Sequence, residues 1–210
     1  MVYLLRDSLL WVGRLGYDKK LRSPRKSLKS QNSYSWAEKF LKSTDHPLVG
    51  ELWASVYEYS PTDKHLMIFV TYHDATAYAI WAGKRLPTEA EWGYATRGGL
   101  VDKTFTWGDD EAVSRDYSNS GDTDGKDKWE YCAPAGSFRP NGYGLYDMAG
   151  NVYEWCKDWY NANKKYRVFR GGSWFDSTIG LRVAGRLINI PMAVNHGLGY
   201  RCVSSPAAQQ

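Results

Sequence analysis

Few side chains in this 210-residue chain have the type and spacing that covalent or metal chemistry requires. Its three cysteines, Cys132, Cys156 and Cys202, allow at most one bridge and do not make a disulfide framework. No CxxC or HExxH spacing occurs and the four histidines are scattered, so zinc has no ligand set. His73-Asp74 reads as the start of a helix rather than a dyad. Glu89 and Glu91 stand two apart on a helix and do not face each other. No residue is a candidate catalyst. What remains is oxygen chemistry: the Asp/Gly/Ser-rich run 116–128 reads as a long loop that needs an organiser, and a bound cation would serve.

The elements that must hold such a site are legible in outline. Val2–Leu15 supplies a strand or a short helix, and Ser35–Leu41 has the spacing of a short amphipathic helix capped by Ser33 or Ser35. Leu66–Tyr72 reads as a buried strand end. A helix follows over His73–Gly83, ending on Gly83. Pro87 opens a second helix, with Thr88 as cap or first-turn residue and Gly98-Gly99 as the stop. Val152–Trp155, Arg167–Arg170 and Gly199–Val203 are short strand candidates. Residues 204–210 read as a frayed tail.

Aromatic residues make up 15% of the chain and no apolar run nears the roughly 20 residues of a membrane span. The first residues lack a clear cleavage site, so cytoplasmic synthesis is expected, with display on a virion or cell surface only through another component. Residues 1–50 hold ten Lys/Arg against four Asp/Glu, a balance of +6, which leaves −2 for the rest of a chain whose total is +4. This basic arm is either a solvated segment or a docking element for an acidic partner. The run Lys19–Lys29 contains no aromatic residue, so nucleic acid is not expected.

Four segments share a pattern: GKRLPTEAEW at 83–92, NGYGLYDMAGNVYEWCKD at 141–158, RGGSW at 170–174 and GYRCV at 199–203. In this order they resemble the formylglycine-generating-enzyme (sulfatase-modifying-factor) domain. The resemblance spans about Leu66 to Val203. It implies an α+β domain over 51–203 with a C-type-lectin-like fold of short strands, two or three helices and long loops.

The resemblance also implies ligands for structural calcium. Asp147, Gly150, Val152 and Glu154 match one family site, the carboxylates giving side-chain oxygens and the other two backbone carbonyls. Asn119, Ser120, Asp127 and Trp129 map onto a second. The competing reading is that Asp147 caps a turn while Glu154 pairs with an arginine. The family's oxidase chemistry needs two copper-binding cysteines shortly after the GGS turn; those positions carry Asp176 and Leu181, which cannot bind a soft Cu(I) ion. No copper and no catalysis are therefore expected. The family partner of Cys202 falls at Ala79, so that bridge cannot form.

Between RGGSW and GYRCV lies 175–198, FDSTIGLRVAGRLINIPMAVNHGL, an unmatched interior inside matched flanks. This layout resembles the variable proteins of diversity-generating retroelements, in which adenine-directed mutagenesis rewrites Asn codons. Such codons cannot become Lys, Glu, Gln, Met or Trp. Those types total 39 of the 210 residues, so about four or five would fall in these 24 positions by proportion; only Met192 does. Leu187, Ile188, Ile190, Ala193 and Val194 have no clear period and would form an apolar binding patch, or else fill core space under a loop. Trp174, Phe175, Ile179 and Gly185 belong to the same candidate surface, and Asp176, Asn189, Asn195 and His196 would add polar contacts. The expected ligand is a protein or a glycan. An enzyme of altered chemistry and a regulatory domain with a fixed partner stay open as alternatives.

Overall fold

The computed structural model describes residues 55–62, 64–121 and 126–204, together with the backbone of Tyr3–Leu4. Apart from that short strand, the basic arm, the helix expected at Ser35–Leu41 and the tail beyond Ser204 lie outside the described residues. Strand β1 (Tyr3–Leu4) pairs antiparallel with β6 (Val203–Ser204).

Four strands form the main sheet: β2 (Tyr153–Trp159), β3 (Arg167–Arg170), β4 (Leu187–Asn189) and β5 (Leu198–Gly199), in the order β4-β3-β2-β5. The pairs are antiparallel except β2 with β5, which is parallel. Successive side chains of a strand point to opposite faces. Tyr153 and Trp155 pack with Ala75 and Ala79 of helix α1 (Tyr72–Trp81), whereas Cys156 and Val168 pack with Trp92 and Ala95 of helix α2 (Glu89–Arg97). The sheet is thus covered on both faces, and β2 is buried through its first four residues.

Both helices start at capping boxes. Thr71 and Asp74 bond reciprocally at α1, as do Thr88 and Glu91 at α2. Asp74, one half of the His73-Asp74 pair, therefore serves a helix start. Helix α2 stops on Gly98, whose φ of 57° suits glycine. Helix α1 ends a residue before its expected stop, with Ala82 as cap and Gly83 beyond it.

Glu91 also forms an ion pair, in which Arg85 donates to both of its oxygens, at 2.6 and 2.7 Å. That bidentate pair, ahead of the Thr88 backbone bond, draws the Glu91 carboxyl down from 4.5 to about 2. A carboxylate with a depressed folded pKa stabilises above its unfolded value and loses that contribution as pH falls. Glu91→Gln is expected to cost about 1 kcal/mol at neutral pH, the site being partly solvent-screened. The gap from the unaltered protein should close between about pH 4.5 and 2 in chemical denaturation.

Three expectations about elements need correction. Leu66–Tyr72 is not a ladder strand: Phe69 sits at φ 56°, which breaks the extended run, and Tyr72 already begins α1. Leu66, Ile68 and Val70 are nonetheless buried, so the alternation reports burial without pairing. Gly199–Val203 is divided between β5 and β6, which belong to different sheets. The long loop after Gly99 contains a helical turn, α3 (Ser114–Tyr117), preceded by a 3-10 turn at Glu111–Val113.

Candidate ligand-display surface and cation sites

The segment after the GGS turn is held at its two ends. Gly171, Gly172 and Ser173 are buried, and Trp174 N–H donates to the Asn151 carbonyl at 2.9 Å. Asn151 is itself fully buried at φ 65°, its amide bonded both ways to the Ala133 backbone. Trp174 and Phe175 then meet His196 from the far end of the segment, with ring centroids 5.2 and 5.0 Å apart. Tyr59 stacks on both Trp174 and His196, and Phe69 and Tyr131 close the cluster. Six rings from five parts of the chain therefore fasten the ends together. Their spacing in sequence gives no sign of it; Tyr59, Phe69 and Tyr131 carry no motif.

Between those anchors the side chains divide sharply. Leu181 and Val183 are buried, Leu181 packing with Phe105 and Ala149. Ile179, Leu187, Ile188, Ile190, Met192 and Val194 are exposed, Ile179 by 65% and Val194 by 48%. Asn195 is also exposed, and Phe175 is exposed on one edge. Trp174, Asp176, Gly185, Asn189, Ala193 and His196 are half-buried. Leu187–Asn189, which shows no period in the sequence, is the edge strand β4 and pairs with β3. The polar members are largely engaged internally: Asn189 accepts from Ile190 N–H and Asn195 from Gly197 N–H. Asp176 accepts from Ser173 N–H at 2.9 Å, Ser173 Oγ at 2.5 Å and Tyr153 OH at 2.9 Å.

A cleft of about 360 Å³ opens within this surface, between the 3-10 turn Thr178–Leu181 and β4. Asp176, Ile179, Gly185, Arg186 and Leu187 line it, with Tyr153 below. Arg186 donates to both oxygens of Glu89 at 2.7 Å, and Glu89 also receives Arg170 at 2.6 Å. This network ties the displayed segment to the start of α2; of its members only Glu89 was weighed from the sequence, and not for this role.

The residues expected to hold cations fall at two places, and among the described residues no group of three or more His, Cys, Asp or Glu side chains gathers as a metal site. Gly150 N–H donates to the Gly171 carbonyl, at φ 74°, where a side chain would collide with the Asn119 carbonyl. Glu154 is 1% exposed and takes both its bonds to Arg201, plus Trp92 Nε1–H at 2.8 Å. Asp147 accepts Gly136 N–H through Oδ2, while burial lifts its carboxyl to about 6 against the opposing pull of that N–H and of Arg201. At the second place Asp127 accepts from Ser120 N–H at 2.9 Å and from Arg115 at 3.3 Å; burial raises its carboxyl too. Trp129 is half-buried beside Phe138, and Val152 lies buried in the core. Buried carboxylate and amide oxygens without a hydrogen-bond donor number three among the described residues: Asn119 Oδ1, Asp127 Oδ1 and Asp147 Oδ1. All three belong to the expected ligand sets, and an unmet buried acceptor costs about 1–3 kcal/mol.

Every thiol of the chain is inside. Cys132, Cys156 and Cys202 form no disulfide and are at most 2% exposed, and burial pushes Cys132 and Cys202 up to about 12 and Cys156 well above its ordinary range. Such groups are not nucleophiles at neutral pH. Among the described residues no helix is long and apolar enough to cross a membrane.

Comparison with known proteins fits this frame. The pattern of the Sulfatase-modifying factor enzyme 1-like domain matches residues 29–206. A formylglycine-generating enzyme of Streptomyces coelicolor is 40% identical over 67% of this chain and 52% of its own. An inactive C-alpha-formylglycine-generating enzyme 2 of Bos taurus is 41% identical over 66% of this chain and 50% of its own. The chain thus spans about half the length of these relatives. Among solved structures, Treponema denticola variable protein 1 superposes with a TM-score of 0.62 at 24% identity, covering 74% of this chain and 81% of that one.

Proposed function

The chain belongs to the family of sulfatase-modifying factor enzyme 1-like domains, and on that premise we propose that it is a ligand-display module without catalytic activity: the variable protein of a diversity-generating retroelement. The observation that carries this reading is the division within 175–198, whose ends are fastened by six packed rings while its middle exposes six aliphatic side chains. A single exposed apolar residue is ordinary, but a contiguous group marks an interaction surface. Substitutions at those six positions are expected to leave the packing of the frame untouched. The Treponema variable protein shares the fold.

Sequencing the DNA beside the gene tests the reading directly. A reverse-transcriptase gene and a near-copy of the stretch encoding 175–198, differing only at adenines, are expected. A neighbourhood with neither sinks the retroelement assignment.

The family's activity defines the second reading, favoured by 40% identity to a formylglycine-generating enzyme. Against it stand three buried thiols and the residues Asp176 and Leu181 where the resemblance places the copper-binding pair. Oxygen uptake with a cysteine-containing peptide and copper decides it; turnover would replace the display reading with an oxidase.

Two structural calcium ions complete the frame. Asn119 and Asp127 would hold one, and Asp147 would anchor the other with Gly150 and Val152 carbonyls. At that second ion Glu154 is a weaker donor, because Arg201 and Trp92 already occupy its oxygens. Calcium would supply charge neutralisation and loop organisation there, not reactivity. At free calcium one-hundred-fold above its dissociation constant, one site adds about 2.7 kcal/mol. Chelation, which removes both ions, is therefore expected to lower Tm by roughly 10–20 °C, at 2–4 °C per kcal/mol for a domain of this size. Asn119→Ala and Asp127→Ala should shrink that response, and an unchanged transition in chelator would remove both ions from the account.

A further inference from the structure

The cleft beside β4 has a charge that no described residue answers. Its walls are aliphatic at Ile179 and Leu187, and Asp176 lines it with Tyr153 below. The three donors to Asp176, Ser173 N–H, Ser173 Oγ–H and Tyr153 OH, are all neutral. Among the described residues no Lys, Arg or His pairs with it. The other charged lining residue, Arg186, is held by Glu89, which it shares with Arg170, and by the field of Asp158, and it lies 4.6 Å from the Tyr160 ring centroid.

We propose that this cleft receives a lysine or arginine side chain from a protein ligand, its aliphatic stem along Ile179 and Leu187 and its cationic head at Asp176. A carboxylate offers about four acceptor positions, of which three are filled here, and a charge-assisted bond is about twice as strong as a neutral one. Long basic side chains pack their stems on apolar surface while the head meets a polar group. The cleft's rim continues into Ile188, Ile190, Met192 and Val194, exposed aliphatic surface that a free amine would leave wet and a protein face would cover. The same rim is mostly aliphatic, and the Oδ1 acceptors of Asn189 and Asn195 are already taken by backbone N–H groups, which leaves a sugar hydroxyl fewer acceptors there. This assignment rests on the display reading and names what the displayed surface grips.

NMR titration of the isotope-labelled full chain tests it. The probes are Nα-acetyl-lysine methylamide, Nα-acetyl-arginine methylamide and the uncharged Nα-acetyl-norleucine methylamide, read at the Gly171, Gly180 and Gly185 amides. Either cationic probe is expected to bind at least about tenfold tighter than norleucine, an extra 1.4 kcal/mol. Asp176→Asn, which can still accept from Ser173, should abolish that ratio, while Val101→Ser, at an exposed position outside the displayed segment, leaves it unchanged. Equal binding of norleucine and lysine overturns the proposal, as does an undiminished ratio in Asp176→Asn. A methyl glycoside that moves these amides in place of the cations would overturn it in favour of a glycan. If Asp176→Asn fails to fold, the ratio in the unaltered protein decides alone. The retroelement reading stands or falls separately, on the neighbouring DNA.

Discussion

Replacing Arg201 by methionine is expected to destabilise the protein by about 3–5 kcal/mol, the cost of leaving a buried charge without its partner. Arg201 is 3% exposed and Glu154 is 1% exposed, so water cannot stand in for either. The guanidinium donates to both Glu154 oxygens and, through Nη2, to the Asp147 carbonyl at 2.9 Å. Methionine fills much of the volume but donates nothing. Glu154 would keep Trp92 Nε1–H alone. At 2–4 °C per kcal/mol, Tm should fall by roughly 6–20 °C.

The double variant Glu154→Gln/Arg201→Met separates charge from packing. It removes the buried anion together with the cation, and buried ion pairs replaced as a unit are often tolerated. It should therefore recover a large part of the loss, and a double-mutant cycle gives the coupling. Measurement in chelator keeps a cation from taking the guanidinium's place. A loss below about 1 kcal/mol in the single variant would mean that the pair is not what holds β2 to the GYRCV turn.

The frame was written in the sequence where local rules decide. Thr88 three residues before Glu91, with Gly98 beyond, announces a capped helix, and the helix runs Glu89–Arg97. The carboxylates at 147, 154 and 127 were singled out by the family resemblance and not by any local rule. The competing possibility for Glu154, an arginine partner, is what the structure holds, through a residue 47 positions away. Leu66–Tyr72 misled because β-branched and aromatic content reports burial, and a left-handed Phe69 is invisible in a run of apolar residues. The fastening of the displayed segment was hidden for a different reason. Tyr59, Phe69 and Tyr131 meet Trp174 and His196 only after the chain has folded, and no short-range period encodes that meeting. Asp176 was read as a polar contact, yet its place among neutral donors at the base of a cleft needed coordinates.

The segment 175–198 should respond to substitution in two opposite ways. Leu181 is 2% exposed and packs with Phe105 and Ala149; Leu181→Ala is expected to cost about 2–5 kcal/mol, the transfer term plus a residual cavity. Six positions on the same segment, Ile179, Leu187, Ile188, Ile190, Met192 and Val194, face solvent. Serine at any of them should change stability by no more than about 0.5 kcal/mol, except at Leu187 and Ile188, where lost β propensity adds a fraction more. Thermal melts of the seven single variants give the comparison. A frame that must survive rewriting of its surface has to concentrate its stability away from the rewritten residues, and Leu181 is where this segment keeps its share. If serine at Ile179, Ile190 and Val194 cost as much as alanine at Leu181, these side chains would be part of the core, and no reading in which they are exchanged between variants could stand.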